Sequence, residues 1–287
     1  MSDLSGAEVV VVGGGFGGLS AACYLADAGA DVTVLEQHDT LGGVAGTAEM
    51  EGFRFDTGPS WYLMPEVFER FFDHFGRSVD NAYTLERLDP SYRIFWKDGD
   101  RMDVPADPEA LAPKLEAYEA GAADAFHRYL DHAEEVYDLA MERFIYPGRS
   151  SLRDWLSLDV LRSVRALPLL RSMDAHVQGY VEHPKLRQLL EYKLVFLGGS
   201  PYNTPALYTL MSHVDFNQGV YHPHGGMQAL VDALAELAED LGATLETDAP
   251  VEGLDARGTG VQVHANGHTH RADRVVANAA PAHVERT

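Results

Sequence analysis

Gly13-x-Gly15-x-x-Gly18 follows the run Glu8-Val9-Val10-Val11-Val12, and Glu36 stands 18 positions after Gly18. Residues of these types at this spacing suit a dinucleotide. Gly13 allows a tight turn, Gly15 lets the backbone approach a pyrophosphate, and Gly18 lets a helix pack closely on a strand. The free N–H groups of that helix's N-terminus then face the phosphates. Glu36 is placed to accept hydrogen bonds from an adenosine ribose, and its charge repels a 2′-phosphate, so FAD or NAD is favoured over NADP. Gly13, Gly15, Phe16, Gly17, Gly18, Glu36 and Gln37 form the first candidate binding set.

Such a set must be held by a strand, a helix and a second strand. Val9 to Val12 is a continuous apolar run bounded by glycines, the pattern of a buried parallel strand. Leu19, Ala22, Cys23 and Ala26 recur at helical spacing, Gly29 supplies a C-terminal cap, and Asp31 to Glu36 predicts the second strand. Beyond it, Leu41 to Pro65 is punctuated by glycine and too irregular for a helix. The stretch 91–105 alternates on either side of Asp98-Gly99 and predicts a β-hairpin. Asp107-Pro108 predicts a helix start, with Asp as N-cap and Pro at the first helical position. The pattern is then mostly helical to about Phe196. Gly225 to Gly242 predicts an amphipathic helix whose apolar face carries Met227, Leu230, Val231, Leu234, Leu237 and Leu241. Short strands follow, with Asn266-Gly267 as a hairpin turn and Arg274 to Ala279 as a parallel strand. The expected fold class is α/β.

The 287 residues carry 22 Lys plus Arg against 44 Asp plus Glu, a net charge of −22. A chain with twice as many acids as bases repels phosphate backbones, so nucleic acid is excluded as a partner. Only four bases are lysines: Lys97, Lys114, Lys185 and Lys193. An acidic, lysine-poor surface suits very high salt, where repulsion is screened within about 3 Å, and a halophilic protein is expected. Cys23 is the single cysteine, which removes intrachain disulfides and Cys-rich metal sites. The acidic opening residues differ from a signal peptide's basic start, and no run reaches the ~18 apolar residues of a membrane span. A cytoplasmic protein, soluble or attached to a membrane only at its surface, is expected.

Leu41-Gly42-Gly43 beyond Glu36, followed by Gly52-Phe53-x-Phe55-Asp56-x-Gly58, resembles the flavin-containing amine oxidase superfamily, and within it the carotenoid desaturases. Three further landmarks stand in the same order as in bacterial-type phytoene desaturases: Asp56-Thr57-Gly58-Pro59-Ser60, Phe196-Leu197-Gly198-Gly199-Ser200-Pro201-Tyr202, and Gly219 through His222 and His224 to Met227. The resemblance covers essentially the whole chain. It implies a glutathione-reductase-like, Rossmann-type FAD-binding domain from 1–80 and 216–287, with an inserted α+β, mostly helical substrate domain over 81–215. It implies FAD as cofactor, Gly42 and Gly43 near its phosphates, and the Val251 backbone beside its adenine, although a buried strand valine is equally expected there. Many members place an arginine after the Gly-Gly pair; here the residue is Val44, so that phosphate contact is not carried over.

The implied activity is FAD-dependent desaturation of a lipophilic carotenoid precursor, most simply phytoene. A later-acting carotenoid desaturase, a flavin-dependent isomerase, and a non-catalytic fragment that retains the fold are the alternatives. No catalytic residue is assigned, because a flavin in an apolar tunnel needs position and exclusion of water more than a strong base. Phe144, Tyr146, Trp155, Phe196, Tyr202 and Tyr208 are candidate tunnel lining. Family members continue well beyond Thr287 into a final flavin-contacting segment, so weak FAD binding by these residues alone, or none, is expected. No metal site is expected. His264, His268 and His270 straddle the Asn266-Gly267 turn as strand histidines, while His222 and His224 could line the flavin site or belong to a loop. Arg153, Arg162, Arg165 and Arg171 alternate with apolar residues in a conspicuously basic stretch, whose readings are an ordinary core-packed helix and a membrane-surface contact on the cytoplasmic face. The sequence leaves the oligomeric state open.

Overall fold

The computed structural model describes residues 4–148, 170–258 and 260–284. The chain divides into two compact units, 1–86 with 222–287, and 87–221. The crossings fall at 86/87 and 221/222, rather than at 80/81 and 215/216, because the chain leaves the first unit along a strand and returns along another. In chain order the first unit contributes β1 (Glu8–Val12), α1 (Phe16–Asp27), β2 (Asp31–Leu35), β3 (Thr47–Met50), β4 (Phe53–Asp56), α2 (Pro65–His74) and α3 (Val79–Ala82), and the exit strand is β5 (Leu85–Arg87). The second unit holds β6 (Tyr92–Phe95), β7 (Arg101–Val104), α4 (Pro108–Glu116), α5 (Ala122–Ala140), α6 (Met173–Val177) and α7 (Pro184–Glu191). The return strand β8 (Tyr221–Pro223) leads to α8 (Gln228–Asp240), β9 (Thr244–Glu246), β10 (Val251–Arg257), β11 (Gly260–Ala265), β12 (His268–Ala272) and β13 (Arg274–Ala277).

The first unit is built on a parallel sheet in the order β13-β1-β2-β9. β1 is its centre, with Val12 opposite Ala277 on one side and Leu35 on the other. Val9 to Val12 are all buried. Val10 and Val12 pack with Leu35 of β2 and with Val263, Ala265 and Ala272 of the antiparallel meander β10-β11-β12. Successive strand side chains alternate between faces, so Val9 and Val11 point the other way. A strand covered on both faces has no polar positions to spare, and each buried valine contributes roughly 1.5–3 kcal/mol. α8 packs against α1. Between them Cys23 donates to the Leu234 carbonyl at 3.8 Å, and burial pushes its thiol up to about 12. α8 begins at Gln228 rather than Gly225, because Gly225 and Gly226 take positive φ of 91° and 76°.

The irregular stretch after Glu36 contains a hairpin that the sequence reading did not find, β3–β4, turning at Glu51 and Gly52 with φ of 53° and 81°. Its strands are largely exposed, so they carry no alternation of apolar and polar residues to read. The Asn266-Gly267 turn does form, with positive φ at both residues.

In the second unit β6 and β7 pair as a hairpin. α4 starts as expected, Asp107 Oδ1 accepting the Glu109 N–H at 3.0 Å. The core gathers Leu111, Leu115, Phe126, Tyr129, Leu186, Leu189 and Leu190. Tyr129 is fully buried and its hydroxyl is shared with Ser212 at 2.7 Å. Three of the four lysines make specific contacts here: Lys185 lies 2.6 Å from Asp98 and 2.7 Å from Asp100, Lys193 lies 2.9 Å from Asp215, and Lys114 donates to the Asp103 carbonyl at 2.9 Å. Trp155 and the basic stretch as far as 169 lie outside the described residues; Arg171 donates to the Ala175 carbonyl. Of the other aromatics expected to line a tunnel, Tyr208 packs on the core, while Tyr146, Phe196 and Tyr202 are exposed and Phe144 is half-buried.

Candidate dinucleotide site

The turn from β1 into α1 is held by close backbone approach. A Cβ on Gly18 would sit 1.9 Å from the Gly13 carbonyl oxygen, so helix and strand meet at a distance only glycine permits. The Gly13 N–H donates to the Leu35 carbonyl at 2.8 Å, tying the turn to β2. Gly15 is the N-cap of α1, with no side chain to close the helix end. The leading N–H groups of an α-helix have no intrahelical acceptor, and the helix dipole favours negative charge there.

Glu36 follows β2 and is 4 % exposed. One carboxylate oxygen accepts the Gly14 N–H at 2.7 Å and the other accepts the His38 N–H at 3.0 Å. The two backbone N–H donors fix the orientation of the carboxylate. The Gly42-Gly43 pair closes over the turn: Gly42 N–H donates to the Gly14 carbonyl at 2.9 Å, and Gly15 and Gly42 form an isolated parallel bridge. Gly58 of the Asp56-Thr57-Gly58 motif packs on this loop, since a Cβ there would meet the Val44 carbonyl oxygen at 1.8 Å. Thr57 anchors the same loop through its hydroxyl, which donates to the Gly46 carbonyl at 2.9 Å. Asp56 Oδ1 accepts the Met227 N–H at 3.2 Å, just ahead of α8. Sequence landmarks far apart in the chain thus support one loop.

These elements enclose a cavity of about 660 Å³, within the roughly 300–1,000 Å³ of small-molecule sites. Gly13, Gly15, Phe16, Gly17, Glu36, Gln37, Gly42, Gly43 and Val251 all line it. Gly18 does not; it is buried at the helix–strand contact. The sequence reading missed His38 and the segment Asn278-Ala279-Ala280, which also line it. Asn278 follows β13, its N–H donating to the Val12 carbonyl at 2.8 Å. Pairing of β13 with β1 brings this segment in from the far end of the sequence, and no local pattern encodes that. Glycine backbone, a helix N-terminus and a fixed carboxylate are the donor and acceptor set a dinucleotide requires, so the cavity fits the adenosine and pyrophosphate of FAD.

His222 contacts the Ser60 carbonyl at 3.3 Å and His224 lies 3.4 Å from Glu86. His264 faces Thr269 at 3.0 Å and Asp255 at 3.4 Å.

Residues 16–287 match the family described as flavin containing amine oxidoreductase. Curated relatives include the carotenoid 3,4-desaturase of Haloarcula japonica, 58 % identical over 100 % of this chain and 58 % of its own length. The zeta-carotene-forming phytoene desaturase of Myxococcus xanthus is 34 % identical over 96 % of this chain and 53 % of its own. The chain thus spans a little over half the length of the curated relatives it matches. Among solved structures, a putrescine oxidase variant superposes with a TM-score of 0.62 at 21 % identity, covering 98 % of this chain and 60 % of that one. A fatty acid isomerase from P. acnes gives 0.60 at 19 %, covering 95 % and 59 %. These two likenesses concern the fold. With the family match running from Phe16 at the start of α1 through the Gly-Gly loop and β13, the chain belongs to the flavin containing amine oxidoreductase family.

Proposed function

We propose that this protein is an FAD-dependent carotenoid desaturase. The observation that carries the reading is the 58 % identity to a carotenoid 3,4-desaturase along the whole chain, in a protein whose described residues build a dinucleotide cavity. Gly13, Gly15, Phe16, Gly17, Gly42 and Gly43 would hold the pyrophosphate, with Gly18 setting the helix that faces it. Glu36 and Gln37 would meet the ribose, and the Val251 backbone the adenine. Bound FAD supplies a two-electron acceptor for converting a C–C single bond of the polyene to a double bond. The chain's part is to orient the cofactor and keep water away from it. The second unit, 87–221, is read as the substrate domain, and a desaturase acting late on the polyene is favoured because identity to the phytoene-acting relative is lower, at 34 %.

The test is product analysis of FAD-supplemented protein given lycopene and, separately, phytoene. A longer conjugated chromophore from lycopene is the expected result. Conversion of phytoene alone would move the assignment to the early step, and rearranged double bonds without net oxidation would make the protein an isomerase. No change in either substrate would remove the desaturase reading.

No helix among the described residues is long and apolar enough to cross a membrane. A surface contact with the bilayer that stores the polyene is part of the proposal, carried by the basic and apolar composition around Arg153, Arg162 and Arg165. Changing these three to glutamate should release the protein from sedimenting anionic liposomes; unchanged sedimentation would remove this contact.

A further inference from the structure

Among the described residues no lysine or arginine lines the dinucleotide cavity, and Glu36 adds a negative charge to it. A pyrophosphate bound there needs donors that are not cations. The N-terminus of α1 supplies some. Asn278 supplies the other: its carboxamide lies over the same turn, with its oxygen 2.6 Å from where a Gly17 Cβ would be and its nitrogen 3.3 Å and 3.7 Å from those of Gly18 and Gly15. The backbone of Asn278 is fixed by its bond to Val12. Among the described residues its side chain has no hydrogen-bond partner, and it is exposed at the cavity wall. A carboxamide held at a helix N-terminus with both its donors unused is suited to an incoming anion.

We propose that Asn278 is a neutral pyrophosphate ligand, positioning the cofactor in a dinucleotide site whose described lining holds no lysine or arginine. The inference rests on the dinucleotide reading of the cavity and extends it. Its physical consequence concerns salt. An exposed cation–phosphate contact is screened within about 3 Å at 1 M salt, whereas a hydrogen bond from a neutral amide has no net charge to screen. In a chain of net charge −22, a site of this kind holds its ligand as ionic strength rises.

Calorimetric binding of ADP and of adenosine to the full chain, in about 0.2 M and about 2 M KCl, tests this. The native protein should bind ADP more tightly than adenosine at both salts. Asn278→Ala should weaken ADP about tenfold, the loss of one hydrogen bond to a charged group, with adenosine affinity and the ligand-free melting temperature unchanged. Asn278→Asp should weaken ADP further and spare adenosine. Val44→Arg, which places a cation at an exposed position on the cavity rim, should tighten ADP at the lower salt and lose that gain at the higher. Unchanged ADP affinity in both Asn278 variants would overturn the inference and leave the dinucleotide reading standing. Parallel loss of adenosine binding and thermal stability would overturn it as well, in favour of a purely structural asparagine. If the native protein bound neither ligand, the dinucleotide reading itself would fall, and the inference with it.

Discussion

Replacing Lys193 with methionine should destabilise the protein by about 3–5 kcal/mol, the cost of leaving a buried charge without its partner. Lys193 and Asp215 have side chains only 4 % and 5 % exposed, and their charged atoms are 2.9 Å apart. Nζ also donates to the Leu189 carbonyl at 3.2 Å and stands 3.4 Å from the Phe216 ring centroid. The Tyr92 hydroxyl donates to the same Asp215 oxygen at 2.7 Å, while the second oxygen is buried with no hydrogen-bond partner among the described residues. Methionine keeps the length and removes the charge, so the Asp215 carboxylate remains in an apolar site that cannot rehydrate it. Adding Asp215→Asn should recover most of the loss, because the amide oxygen still accepts from Tyr92 and no net charge remains buried. Urea midpoints of the single and double variants near neutral pH measure both effects. A single variant within about 1 kcal/mol of the native protein, as for an exposed pair, would contradict this account of the pair. Lys193 lies three residues before Phe196 in the Tyr192–Leu197 turn, so the pair also anchors the segment that presents Phe196-Leu197-Gly198-Gly199.

Whether a feature was legible depended on how far it was encoded by neighbours in sequence. β1, α1 and β2 were readable because a four-valine run, helical apolar spacing and a capping glycine each act over a few residues. The Gly-Gly loop was legible as a motif, but its bridge to Gly15 and its support by Gly58 are tertiary contacts. Asn278 was read only as a continuation of a strand. Its place beside Gly15 depends on β13 choosing β1 as neighbour in register Val12 to Ala277, and the order of strands in a parallel sheet leaves no local trace. The Lys193–Asp215 pair was missed for the same reason: two ordinary charged residues, 22 positions apart, signal nothing until helical turns bring them together. The β3–β4 hairpin failed differently, since exposed strands carry no burial pattern at all.

Gly15 and Gly18 belong to one motif, yet alanine at each should fail in a different way. A Cβ on Gly18 would lie 1.9 Å from the Gly13 carbonyl oxygen, a backbone atom that cannot move without parting α1 from β1. Gly18→Ala should therefore cost about 3 kcal/mol or more in stability, at the upper end of overpacking penalties. Gly15 has φ of −77°, open to any residue, and its Cβ would have its nearest neighbour at 3.7 Å, an ordinary contact. Gly15→Ala should thus melt within about 0.5 kcal/mol of the native protein. What it should lose is the ligand, because Gly15 lines the cavity and its missing side chain is the space through which backbone approaches pyrophosphate. An ADP affinity lowered by about tenfold or more is expected, against an adenosine affinity left nearly as it was. Thermal melts separate the two glycines, and ADP calorimetry separates a space kept for the protein from a space kept for its ligand. If Gly15→Ala bound ADP normally, the cavity would not hold a pyrophosphate against this turn, however well the fold survived.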